Sequence, residues 1–262
     1  MTGSDSFRTL VAQTNPTLGD VRDNEATADA IISEAQATDC DLVVFPELFL
    51  TGYHIADDAD ALATEAQAAL DRLRSATDDL VVVVGSPVHA DDGIRNAAVV
   101  LEDGATVGRY DKTHLWGDEP GVFEPGREFP TFETGVGTLG VQICYDVEFP
   151  EVSRSLAMNG ADTIVTISAN MRPCVRDQEL YHGTRALENG CPHVLCNRVG
   201  EEQGVDFFGR SGIVTHRGRR ILSLGADVVE ASTGHVPLDP DRSQSHDYLG
   251  DRQPALYDLA SE

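Results

Sequence analysis

The stretch GVQICYDVEFPE, residues 140–151, decides the architecture. Its apolar lead, with Leu139 before it, reads as a strand over 139–144. The strand gives way at Cys144 to a turn, and 148–159 reads as a helix closed by Asn159-Gly160. The same handover recurs downstream. Residues 163–168 read as a strand, 175–189 as a helix and 193–197 as a strand. Residues 205–232 form a run of strands with Arg217-Gly218 at a turn. From about 233, Pro237, Pro240 and Pro254 predict an irregular surface tail.

Upstream the style repeats. Residues 7–13 read as a buried strand. Residues 22–37 carry Ala26, Ala30, Ile31 and Ala35 at helical spacing. A short strand follows at 41–45 (DLVVF), then an Ala-rich helix at 57–76 and a β-branched strand at 80–84 (LVVVV). Residues 95–102 and 105–110 are two strands joined at Asp103-Gly104, a hairpin turn signal. The Gly- and Pro-rich segment 111–137 reads as one long loop, and loops of such length in compact domains usually carry function. Alternating strands and helices predict an α/β fold. Consecutive apolar residues within the strands predict sheets covered on both faces. No linker, low-complexity segment or fixed-period repeat divides the chain, so 1–262 reads as one domain.

Composition narrows the function. Asp and Glu total 44 against 19 Lys and Arg, a formal net charge of -25. Such a field repels phosphates and disfavours nucleic acid and anionic membrane surfaces. The acids are spread, as in Asp57-Asp58, Asp78-Asp79, Asp91-Asp92 and Glu201-Glu202. That spread predicts a solvated surface and resembles the acidic surfaces of salt-loving organisms; a partner-binding block would be concentrated. The five cysteines, Cys40, Cys144, Cys174, Cys191 and Cys196, are odd in number and show no CxxC pair, which disfavours a disulfide framework or a zinc ribbon. Cys174, His182, Cys191, His193 and Cys196 match no common closed zinc site. The opening MTGSDSF lacks a charged and an apolar region, and no apolar run approaches a membrane span. A cytoplasmic protein is expected, with reduced thiols, no metal and no cofactor.

Three segments place a reactive side chain just after a strand, where a rigid scaffold meets a loop. Glu47 follows Val43-Val44-Phe45-Pro46. Lys112 follows the hairpin in Tyr110-Asp111-Lys112-Thr113-His114. Cys144 ends Val141-Gln142-Ile143. Each has a bland reading: a carboxylate on a loop rim, a surface lysine, a buried structural thiol. Lys112, however, is the chain's one lysine beside 18 arginines. An ammonium is a compact charge with a mobile pKa, so retention at one place points to a need for it there. Together the three make a nucleophilic site. Glu47 takes the thiol proton, Lys112 favours the thiolate and then the oxyanion, and the backbone N–H of Tyr145 is a second oxyanion donor. A Cys–His dyad with His114 is a weaker alternative, because base and cation are already supplied. Gly200 and Gly204 lack any nucleotide-binding pattern.

These residues are familiar as a set. FPELFLTGY (45–53), YDKTHLWGDEPGVFEPG (110–126) and GVQICYDVEFPE (140–151) resemble the three catalytic segments of the nitrilase superfamily, the carbon–nitrogen hydrolases. GADTIVTISAN (160–170), ALEN (186–189) and NRVGEEQGVDFFGRSGIV (197–214) follow in the family's order. The resemblance spans roughly residues 7–225. It implies a four-layer α-β-β-α sandwich, a homodimer or higher homo-oligomer, and a Glu47–Lys112–Cys144 triad. It also implies a supporting second glutamate, for which Glu119 is the best match and Glu124 the fallback. The implied reaction is hydrolysis of a small linear amide through a Cys144 thioester, with release of ammonia. N-carbamoyl amines and nitriles are the alternatives, and a catalytically silent scaffold is the alternative of another class.

Departures from the family bear on substrate. Many relatives have Trp after SAN; here Asn170 is followed by Met171-Arg172-Pro173, so the wall is softer or Arg172 reaches toward the site. Relatives acting on dicarboxylate monoamides often carry Arg four residues after the cysteine, where this chain has Glu148. That disfavours an anionic substrate. Tyr53 and Trp116 either line the pocket or belong to the core.

The charge itself yields a measurable expectation. At low ionic strength the repulsion is unscreened and should loosen the fold. Thermal unfolding followed from dilute buffer to molar salt is expected to show a rising midpoint. A midpoint insensitive to salt would sink the halophile reading.

Overall fold

The structure is a computed structural model that describes residues 6–238 and 247–257. In the first half, β1 (Ser6–Gln13), α1 (Val21–Ala37), β2 (Leu42–Val44), α2 (Ala59–Arg74), β3 (Val81–Ala90), β4 (Gly93–Glu102) and β5 (Ala105–Asp111) follow in order. In the second come β6 (Thr131–Thr134), β7 (Gly137–Ile143), α3 (Pro150–Met158), β8 (Thr163–Ser168), α4 (Val175–Asn189) and β9 (His193–Asn197). The hairpin β10 (Val199–Glu202) and β11 (Val205–Phe208) leads to β12 (Gly212–Val214), β13 (Arg220–Ser223) and β14 (Glu230–Pro237).

Two six-stranded sheets result, ordered β14-β1-β2-β3-β4-β5 and β13-β12-β9-β8-β7-β6. The period-2 alternation of strands assigns their faces. In β2, Leu42 and Val44 point to the other sheet and pack with Val141, Ile143, Val165 and Val194. Val43 and Phe45 point outward against Ala28 and Ile32 of α1 and Ala66 and Leu70 of α2. On the far side Val152 and Leu156 of α3 and Ile164 of β8 close the outer face of the second sheet. The expected four layers, helix–sheet–sheet–helix, are therefore observed.

Several expectations change at the element edges. The tail expected from about 233 begins as ordered strand: β14 runs to Pro237 and pairs antiparallel with the whole of β1. Its alternating exposed and half-buried pattern is that of a sheet edge, which the prolines obscured. Residues 239–246, with Pro240, and 258–262 lie outside the described residues, as do residues 1–5 of the opening segment. The 111–137 loop is not wholly irregular. It contains a 3₁₀ turn at Glu119–Gly121 and the short β6, whose Phe132 enters the inter-sheet core. Cys144 is not the last strand residue: its φ of 46° breaks the strand and starts a 3₁₀ turn, Cys144–Glu148, ahead of α3. Among the described residues no helix is long and apolar enough to cross a membrane.

One glycine ties the sheet to the residues that follow β2. Gly85 of β3 lies against the Pro46–Leu48 backbone, so closely that an added Cβ would overlap the Pro46 carbonyl oxygen and the backbone of Glu47 and Leu48. Backbone cannot yield as a flexible side chain can. Gly85→Ala is expected to push Glu47 out of place. Misplacement of about 1 Å costs on the order of 10²-fold in rate. Ammonia release, compared with the circular dichroism of the same sample, checks this; an active, normally folded variant would contradict it.

Candidate active site

Glu47, Lys112 and Cys144 leave the ends of β2, β5 and β7 and converge where the two sheets meet. Pro46 ends the strand before Glu47, and Leu48 takes a positive φ of 48°, so the chain turns sharply around the carboxylate. Lys112 continues the pairing of β5, its N–H donating to the Asn96 carbonyl at 2.9 Å. The left-handed backbone at Cys144 lifts the thiol out of the strand line at the start of the 3₁₀ turn. Tyr145 follows in that turn, where the first N–H groups have no acceptor within the turn itself.

The hydrogen bonds around the carboxylates are nearly complete. Glu47 is fully buried and Lys112 is 1% exposed. Lys112 Nζ donates to Glu47 Oε1 at 2.8 Å and to Glu119 Oε1 at 2.7 Å. Asn96 Nδ2 donates to Glu47 Oε1 at 2.7 Å, and the Ala169 N–H to Glu47 Oε2 at 2.7 Å. Of the four acceptor positions on the Glu47 carboxylate three are filled, and the vacant one is on Oε2. Among the described residues two of the three Nζ–H donors have acceptors, which leaves one. Glu119 Oε1 also accepts from Tyr53 Oη at 2.7 Å, and its Oε2 from the Trp116 N–H at 2.9 Å. Of the two candidates for the second glutamate, Glu119 is the one in contact with Lys112. Glu124 is exposed and sits against Gly93 at the start of β4.

Electrostatics set the protonation. Burial opposes the Lys112 charge, but Glu47, the Cys144 sulfur and Glu119 outweigh it and hold the ammonium charged. Burial, with Glu47 next, pushes the Cys144 thiol well up, and Lys112 only partly offsets this. Burial also raises Glu119, against the pull of Lys112. The resting thiol is therefore protonated, and it must shed a proton as it attacks.

A small cavity of about 40 Å³ reaches Cys144. Tyr53, Trp116, Tyr145 and Glu148 line one part of it; Ala169, Asn170, Met171 and Cys174 line the rest. Tyr53 and Trp116 are hence pocket residues, though Trp116 is 45% exposed. Arg172 does not reach the cavity: its Nε donates to Asp206 and its Nη2 to both oxygens of Asp227, on the surface. The softer wall is what remains, with Met171 bridged to Phe207. A larger cavity of about 260 Å³ shares Tyr53 and Trp116 with the small one and is lined also by Glu119, Ile55, Val122 and Phe123.

Sequence reading missed four residues here. Asn96 is a fully buried polar side chain within an apolar strand, and that mismatch was its signal. Asp146, two residues beyond the thiol, accepts from Tyr110 Oη, Thr113 Oγ1, the His114 N–H and the Ile143 N–H at 2.8 to 3.1 Å. It clamps the Lys112 loop to the Cys144 turn. His114 props that loop, 2.8 Å from Asp146 and stacked on Phe149. Glu202, taken from the sequence as surface acid, is buried. It accepts from the Tyr53 and His54 N–H groups and pairs with Arg198 at 2.7 Å. Cys174 gave no signal. His182 and His193 contact each other and not a cysteine cluster.

The fold and this constellation set a thiol near a charged lysine and the two carboxylates that hold it. The chain belongs to the carbon–nitrogen hydrolase family, which matches residues 9–244. It is 36% identical over 228 residues to an (R)-stereoselective amidase of Pseudomonas sp., covering 83% of this chain and 81% of that one. It is 34% identical over 235 residues to a nitrilase of Pyrococcus abyssi, covering 87% of each. A mutant of the amidase from Nesterenkonia sp. AN1, solved with the acetamide moiety of fluoroacetamide covalently added at its active-site cysteine, superposes with a TM-score of 0.85 at 29% identity, covering 98% of both chains. The protein is an amidohydrolase acting on carbon–nitrogen bonds other than peptide bonds.

The two glutamates make opposite predictions. Glu119→Gln removes one of two carboxylates on a buried ammonium, and a loss of about 10²-fold in kcat/KM is expected. Glu124→Gln should stay within about twofold, as for other exposed changes. Steady-state ammonia release measures both; equal losses would overturn the assignment of Glu119.

Proposed function

We propose that the enzyme hydrolyses a small linear amide through a thioester on Cys144, releasing ammonia. One observation carries this reading: the thiol at a narrow cavity lies in the field of a buried lysine that two carboxylates hold charged. By the same measure a water needs roughly 10–15 Å³, so the space beside the thiol fits about three heavy atoms. A primary carboxamide head is of that size. The amidase relative, and the covalent adduct in the Nesterenkonia neighbour, support an amide as the group attacked.

The chemistry follows from the free valences. The amide carbon is attacked by Cys144 Sγ as the thiol proton passes to the vacant position on Glu47 Oε2. The unused Nζ–H of Lys112 and the Tyr145 N–H stabilise the oxyanion. The intermediate collapses, the C–N bond breaks, and the proton from Glu47 goes to the departing nitrogen as ammonia. Water then gives its proton to Glu47 and its oxygen to the thioester carbon. Collapse breaks the C–S bond and frees the carboxylic acid, and Cys144 takes back the proton. Glu119 holds Lys112 from the second side and positions Tyr53.

The discriminating experiment is ammonia release from short amides, N-carbamoyl amines and nitriles in molar salt, by wild type and Cys144→Ala. Release from amides above the other classes, abolished in the variant, is expected. Preference for a carbamoyl amine or a nitrile would move the substrate within the family. Activity that survives in Cys144→Ala would remove the nucleophile. No release from any compound by the folded wild type would favour a silent scaffold.

A further inference from the structure

Among the described residues that line the cavity at Cys144, Glu148 is the one charged side chain. It lies at the end of the 3₁₀ turn that starts with Cys144, and it is exposed, so it stands at the mouth. We propose that Glu148 selects amides that carry a positive charge on the end away from the scissile bond, making small ω-ammonio amides the preferred substrates. This rests on the amide-hydrolase reading above.

The basic groups nearby are turned to other work. Arg185 donates from Nε and Nη2 to the carbonyl oxygens of Val147 and Glu148, and from Nη1 to Glu188. It braces the backbone of the turn. Arg172, two positions past the Asn170 wall, is held by Asp206 and Asp227. An anionic tail entering the cavity would meet a carboxylate and no guanidinium. Asp177, in the first turn of α4, adds to the negative potential at Glu148: burial first, and Asp177 second, raise the affinity of that carboxylate for a proton. The Asp177 charge acts on an incoming ammonium as it does on the proton, so two carboxylates and not one face a cation at the mouth. Once the amide head fills the narrow end, the half-buried Met171 and the exposed Trp116 at the rim suit the methylenes that would join the ammonium to the amide. Electrostatic selection of this kind discriminates among substrates that are alike in size and shape.

The bland account is that Glu148 is one more solvated acid on a chain of net charge -25. A test must therefore separate Glu148 from the general field. Three amides of similar length would be compared at one fixed salt concentration that keeps the fold intact: a pentanamide bearing a terminal ammonium, hexanamide, and the monoamide of glutaric acid. The readout is the ratio of kcat/KM values within each variant, so a general loss of activity divides out. Wild type is expected to favour the ammonium amide over hexanamide by about fivefold, the scale of one partly exposed ion pair. Glu148→Gln should bring the ratio near one, and Glu148→Arg should shift preference to the glutaric monoamide. Glu65→Gln, an exposed charge change on α2, should leave the ratio where it was.

A second readout does not need turnover. Modification of Cys144 by aminoethyl and sulfonatoethyl methanethiosulfonates, measured by peptide mass, should favour the cationic reagent in wild type and lose that preference in Glu148→Gln. If no amide is hydrolysed by the wild type, the hydrolase reading fails and this thiol readout alone decides the charge selection. A wild-type ratio near one, a ratio unmoved by Glu148→Gln, or an equal shift in Glu65→Gln would overturn the proposal.

Discussion

Everything at this site hangs on one buried ammonium. Lys112 Nζ sits 2.8 Å from Glu47 and 2.7 Å from Glu119, with almost no exposure. Burying an ion costs several kcal/mol, and attraction offsets that only if geometry and hydrogen bonding are close to complete. Here they are. Glu47 takes donors from Lys112, Asn96 and Ala169; Glu119 takes them from Lys112, Tyr53 and Trp116. Removing any one member would leave a charge without its partner in a dry interior. The cluster therefore demands that three strand ends from two sheets stay in register to within a hydrogen bond.

The inter-sheet core supplies that register, and two acids finish it. Asp146 gathers donors from the Lys112 loop and from the strand before Cys144, so the distance between cation and thiol is set by a hub that touches neither. Glu202 does the same for the loop bearing Tyr53, and Arg198 neutralises it. Burial would raise Glu202, but Arg198 and the donors from His54 bring it below the ordinary carboxylate range. Both acids work because they are buried and bonded on several sides, which is costly to undo. The loops of the site are long, but they are fastened at the points that matter.

This division explains what the sequence made legible. The bounds of β8, α4 and β9 are those expected, because continuous apolar runs and a glycine cap are local signals. The meeting of Glu47, Lys112 and Cys144 was legible since each follows a strand, and a lone lysine stands out. Asp146, Asn96 and Glu202 were not, because their roles come from partners up to about 150 residues away, as in the Tyr53–Glu202 bond at a separation of 149. Glu202 looked like its exposed neighbour Glu201; only tertiary packing divides them. β14 was hidden for a related reason: an edge strand borrows its order from β1 and carries little apolar pattern of its own. The departure of Cys144 from the strand is a single backbone rotation, which composition does not encode.

The choice of lysine over arginine at position 112 then has a geometric reason. Three acceptors must be served from one point: a carboxylate that follows a strand, another in the 3₁₀ turn of the long loop, and the oxyanion that appears only during reaction. A tetrahedral ammonium offers three donors in three directions. A guanidinium is planar and wide; its fork would engage one carboxylate with two bonds and separate the other from the thiol. Elsewhere on this chain, where a basic group has only to bridge surface acids as Arg172 does, the fork is the better shape. Surface and site thus impose different demands on the same formal charge, and the chain meets the second demand with its one ammonium.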